Sequence, residues 1–199
     1  MKTNRGPPYP TTLQVTGDII FSRRDAEDGI NLIRGHLFDA NNDSILAHLI
    51  SACPDEERDG WFTVRHMPAA TCPFVLLDRG NEHARKVPEE VDGSDPSAPV
   101  MDWDHLMLSG TAVLQRIDNE RKCGALAGLT FMGPDKGWCR FDVRINFAEA
   151  EVEFPLPLQS LVNFDGILDR VDLGGIPLIR AHQLVPVGRA DPDLKEILA

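Results

Sequence analysis

The amino-acid sequence predicts a mainly β protein, with α+β as the alternative: an antiparallel β-sandwich or open barrel with a C-terminal meander and a small helical hairpin near the N-terminus. Three observations carry this expectation. Trp138 to Phe147 alternates without a fault, Cys139, Phe141, Val143, Ile145 and Phe147 facing one way and Arg140, Asp142, Arg144 and Asn146 the other. Two turn signals, Asp118-Asn-Glu-Arg121 and Gly133-Pro-Asp-Lys-Gly137, cut the preceding apolar sequence into strand-length pieces. A last apolar run, Ile176 to Val187, follows the Gly174-Gly175 turn and carries proline near both ends, as an edge strand tolerates.

Residues 1–11, with Pro7, Pro8 and Pro10, read as a flexible arm ahead of one β-rich domain over 12–187. Thr12 to Phe21 is a strand interrupted at Gly17. From Asp25 to Cys53 the spacing of Ile30, Ile33 and Leu37, and of Ile45, Leu46, Leu49 and Ile50, predicts two helices joined at Asp39-Ala-Asn-Asn42. The competing reading is a β-hairpin turning at Asn41-Asn42, kept open by Gly35, which weakens the first helix. Trp61 to His66 alternates as a strand, and Phe74 to Leu77 reads as a short buried one. Residues 79–104 are polar, acidic and proline-bearing, and too long for a routine connection.

His105 to Ile117 and Cys123 to Met132 are the next two strands. At Phe147-Ala148 the alternation slips by one residue. Either the chain reverses there, pairing Arg144 with Glu151 and Phe141 with Phe154, or one long strand carries a bulge. Pro155 and Pro157 end that strand, and Leu158 to Leu168 reads as a short helix or irregular crossing. The tail, 188–199, holds a terminal helical turn: Asp191-Pro192-Asp193 supplies a cap, an N1 proline and an acidic first turn before Leu194, Ile197 and Leu198.

Composition narrows the function classes. The 199 residues are 42% hydrophobic and 26% charged, with a net charge of −11. That balance opposes direct nucleic-acid binding, which rests on a basic surface. No apolar run approaches the length of a membrane span, and the N-terminus has no apolar signal region, so cytoplasmic residence without membrane contact is expected. Four scattered cysteines, with no CxxC spacing, read as buried reduced thiols.

Catalytic signatures are sparse. The chain has no G-x-S-x-G, P-loop or G-x-G-x-x-G. Asp39, Asn41 and Asp43 open like a calcium loop, but Ser44 and Ile50 stand where glycine and glutamate belong, so turn formation is the better account. His66, His83 and His105 flank the acidic loop, with Asp102 and Asp104 near the last; their spacing fits no metal motif, and no cofactor or metal is expected. His66, His105 and Asp104 are the catalytic candidates. Glu149, Glu151 and Glu153 read as a solvated stripe. Trp103, a large aromatic in a polar loop beside Asp102, points to a partner surface, as do Leu194, Ile197 and Leu198.

The expected function is therefore a non-enzymatic binding or assembly protein acting through protein–protein contacts, with a protein partner or self-assembly. The alternatives are a β-barrel enzyme or small-molecule binder with a His/Asp site, and an acidic inhibitor or immunity-type protein.

Overall fold

Strand pairing closes on itself twice. The computed structural model describes residues 9–27, 30–41, 43–51, 60–71, 73–78, 84–86 and 106–199. In the first half lie β1 (Thr12–Glu27), β2 (Ile30–Phe38), β3 (Ser44–Ser51), β4 (Gly60–Ala70), β5 (Val75–Asp78) and β6 (Ala84–Lys86). Pairing runs β1–β2–β3–β5–β4 and back to β1, with β3–β5 parallel and every other pair antiparallel. The three residues of β6 lengthen the sheet beside β4.

The second half repeats that order. It comprises β7 (Met107–Asp118), β8 (Cys123–Phe131), β9 (Trp138–Asn146), the two-residue β10 (Glu151–Val152), β11 (Ser160–Val171) and β12 (Pro177–Arg189). The circuit is β7–β8–β9–β12–β11 and back to β7, again with one parallel pair, β9–β12. Each half is thus a five-stranded Greek-key barrel, the architecture the OB fold also uses. The barrels are closed, not open, and the meander covers only β7 to β9.

The halves are joined through their first strands. Thr12–Thr16 of β1 pairs antiparallel with Met107–Thr111 of β7. Gly110 stands where the backbones crowd most: its φ is 155°, and a Cβ there would fall 2.0 Å from the Thr12 carbonyl oxygen. Ahead of the seam, the buried Thr11 hydroxyl both accepts from the Leu129 N–H and donates to the Leu129 carbonyl, each at 2.9 Å. The Leu13 N–H donates to the Thr130 hydroxyl at 2.8 Å. Two threonines therefore satisfy backbone groups that the strand ladder leaves unpaired at this junction.

The helical hairpin is not supported. Residues 30–38 and 44–51 form an antiparallel β-hairpin, β2–β3, the competing reading of that segment. Gly35, Leu37, Ala47 and Leu49 are buried, and their neighbours in sequence are more exposed, a period of two. Asp39 makes the turn, its Oδ1 accepting from the N–H groups of Asn41 (2.8 Å) and Asp43 (2.9 Å). The expected helix or crossing at 158–168 is strand β11, with Val162, Phe164 and Leu168 inside.

The reversal at 147–148 and the bulged long strand both give way to a third arrangement. β9 ends at Asn146, the chain turns, and β10 joins β12 in parallel. Arg144 consequently faces Asp172, not Glu151. β12 is interior to the sheet; its prolines are accommodated because Pro177 opens the strand and Pro186 lies where the β11 register slips. Helix α1 (Pro192–Leu198) is capped by Asp191, whose Oδ1 accepts from the Asp193 N–H at 2.8 Å. Leu194 and Leu198 close a second cluster with Val113, Ala127 and Leu129, edged by Tyr9 and Trp138.

Thr11→Val is expected to lower the stability of the fold by about 1–3 kcal/mol, because both Leu129 backbone groups are then buried without a partner. Urea unfolding of the two proteins side by side measures this; an unchanged midpoint contradicts the role given to the clasp.

Candidate binding surfaces

The sequence candidates do not converge. His66 is an exposed bulge residue of β4 with φ 50°: Val15 pairs with Met67 and Gly17 with Val64, so residues 65–66 sit opposite Thr16 alone. Its N–H donates to the Thr16 hydroxyl at 3.0 Å. The bulge resets the phase, so Phe62 and Val64 before it and Met67 and Ala69 after it all point inward. His83, Asp102, Trp103, Asp104 and His105 lie outside the described residues. Leu194 and Leu198 are core, while Ile197 is exposed. Among the described residues no three His, Cys, Asp or Glu side chains group so as to hold a metal ion, and no helix is long and apolar enough to cross a membrane. Cys139 is partly buried, and burial pushes its thiol pKa up although Lys136 pulls it the other way, which keeps it a poor nucleophile at neutral pH.

The segment 149–158, termed the ridge below, carries two of the large apolar side chains that the second half exposes. Glu149, Glu151 and Glu153 are exposed, as the solvated-stripe reading expects. The segment Phe154-Pro-Leu-Pro-Leu158 then turns two large side chains outward, Phe154 at 57% and Leu158 at 55% exposure, with Leu156 between them buried at 8%. Leu156 pins the loop to the core, and the two prolines fix φ on either side of it. The Glu153 N–H donates to the Leu184 carbonyl (3.1 Å) and the Gln159 N–H to the Leu114 carbonyl (2.8 Å), holding both ends. Isolated exposed apolar residues are ordinary; two of them flanking a buried leucine on an acidic, anchored segment are less so.

On the outer face of the same barrel, an open basin of about 560 Å³ is lined by Arg116, Asp118, Arg121, Cys123, Ala125 and Arg144. It runs from the β7–β8 turn to Arg144 of β9, which is paired with Asp172 in the turn joining β11 to β12. The first turn is held by Asp118, whose Oδ1 accepts from the N–H groups of Glu120 (3.1 Å) and Arg121 (3.0 Å). The second is held by Asp172 Oδ1, which accepts from Gly174 (2.8 Å) and Ile176 (2.9 Å), while its Oδ2 meets Arg144 at 3.0 Å. A second depression, about 440 Å³, separates the barrels between Thr71, Val75, Met132 and Arg140. There Thr71 accepts from the Asp142 N–H at 2.9 Å, and Asp142 binds Arg140 through both oxygens. Sequence reasoning missed the basin; its only trace was Arg144 on the polar face of β9.

No protein-family model, no curated protein and no solved structure matches this chain.

Asp172 is held below the ordinary carboxylate range, chiefly by the Ile176 N–H, with the Gly174 N–H and Arg144 adding to it and burial opposing. A depressed folded-state pKa means the carboxylate's contribution is complete above the unfolded-chain value and is lost as pH falls through the folded one. The urea midpoint of the wild type should therefore exceed that of Asp172→Asn by a constant margin from neutrality down to about pH 4, and the margin should close below that. A margin that ignores acid contradicts the assignment.

Proposed function

We propose that the chain is a non-enzymatic binding protein acting through protein–protein contacts, and that it docks a basic partner on the ridge at 149–158. The observation that supports this most is the outward pair Phe154 and Leu158, held by Leu156 beneath and proline on either side. Burying such side chains against a partner is worth about 1.5–3 kcal/mol each, and a loop already ordered loses little entropy on docking. The three exposed glutamates beside them select a cationic surface and repel a second copy of this acidic chain, whose net charge is −11. An inhibitor of immunity type, presenting carboxylates to a basic target, is a special case of the same contact.

The test uses the full chain, immobilised, with an extract of its source cells. Bound proteins are identified and their affinities then measured individually. A partner of basic isoelectric point is expected, released as salt rises. Its affinity should fall roughly tenfold to a hundredfold with Phe154→Ser/Leu158→Ser. Replacing the three glutamates by glutamine should flatten the salt dependence. A partner that binds both variants like the wild type overturns the proposal.

A further inference from the structure

The basin on the second barrel carries an inference independent of the ridge. Strand register sets Arg116 of β7, Ala125 of β8 and Arg144 of β9 in one row across the sheet. Two strand spacings separate the arginines, about 10 Å between backbones, and the small alanine leaves a saddle between them. A β-bulge creates the row. Leu114 pairs with Leu126 and Arg116 with Ala125, so Gln115 is the extra residue, and the slip turns Arg116 outward where strict alternation would bury it with Leu114. The bulge is braced from β11's approach, where Gln159, in the left-handed region at φ 63°, donates its N–H to the Leu114 carbonyl at 2.8 Å.

The charges are only partly spent internally. Among the described residues the Arg116 guanidinium makes no ion pair or hydrogen bond, whereas Arg144 is steered by Asp172 at 3.0 Å yet stays 57% exposed. Arg121, at 85% exposure, is only loosely held by Asp118 at 3.7 Å. We propose that Arg116 and Arg144 together hold the phosphoryl group of a small phosphorylated molecule, with Arg121 as a third, movable contact. Guanidinium forks match tetrahedral oxyanions through paired N–H donors, and a phosphoryl group offers three acceptor oxygens to share between two arginines. The basin's volume of about 560 Å³ is of the size small ligands occupy. Nucleic acid fits it poorly: none of the lining residues is aromatic, so bases have no platform on which to stack, and the net charge of −11 repels a polyanion.

Pyrophosphate, titrated into the full chain and followed by amide chemical shifts and calorimetry, is the probe. Saturable one-to-one binding is expected, with shifts centred on residues 116–125 and Arg144. Arg116→Gln and Arg144→Gln should each weaken it roughly tenfold or more, Arg116→Lys should restore only part of the loss, and Arg140→Gln, in the other depression, should leave it unchanged. Urea midpoints matched to the wild type establish that the variants are folded. Absence of saturable binding overturns the proposal, as does binding that survives Arg116→Gln/Arg144→Gln. Tighter binding of a single-stranded oligonucleotide or a phosphopeptide than of pyrophosphate also overturns it, since the site then belongs to a macromolecule.

Discussion

The antiparallel seam between Thr12–Thr16 and Met107–Thr111 is the interaction on which the rest of the molecule depends. β1 contributes its first residues to that seam and its later ones to β2, while β4 lies along its other side. β7 is divided the same way, with β11 on one side and first β1, then β8, on the other. Each barrel's opening strand therefore serves both its own circuit and the junction. Such double use leaves backbone groups at the joint that no neighbouring strand reaches, and Thr11 and Thr130 supply them with side-chain partners. The cost of an orphaned buried amide explains why polar side chains sit fully buried in so apolar a neighbourhood.

Closure of both barrels also determines where binding can occur. Five strands enclose little more than their own side chains, and the interior is filled by residues such as Phe141, Ile145, Phe164 and Leu184. The surfaces left for a partner to reach are therefore outside: turns, bulges that re-aim a side chain, and the proline-bearing segment between β10 and β11. The bulge at Gln115 and the turn at Asp172 are the two devices that bring arginine out and hold it, and both rest on rigid strands.

Much of the fold was legible because it is local. The inward set Phe141, Val143, Ile145 and Phe147, the Gly133–Gly137 hairpin, the Asp118 turn and the Asp191 cap all follow from neighbours in sequence. The helical misreading of residues 25–53 has a simple origin. Ile33 to Leu37 and Ile45 to Leu49 are spacings of four, which satisfy one helical turn and two strand pleats alike. β11 was missed because Gly166 leaves a blank in the apolar series Val162, Phe164, Leu168. Glycine is needed there because a Cβ would fall 2.4 Å from the Arg180 carbonyl oxygen. The arginine row was illegible for a deeper reason, since it exists only through register across three strands and a bulge. The internal repeat was equally hidden: two circuits share one strand order without a visible sequence period.

The seam has a temporal side. Thr12 and Thr111 are partners about a hundred positions apart, so the start of β1 is synthesised well before the strand it pairs with exists. The pairs that close each barrel, β1 with β4 and β7 with β11, lie nearer in the chain, as in Gln14 with Pro68 and Val113 with Leu161. Contacts close in sequence form with less loss of chain entropy than distant ones. By that measure each half can close before the seam forms, and the edge of β7 left by the second barrel is the template on which the first residues of β1 are paired. Until then the first strand remains an open edge, and that interval is when this chain is most exposed to pairing with the wrong neighbour.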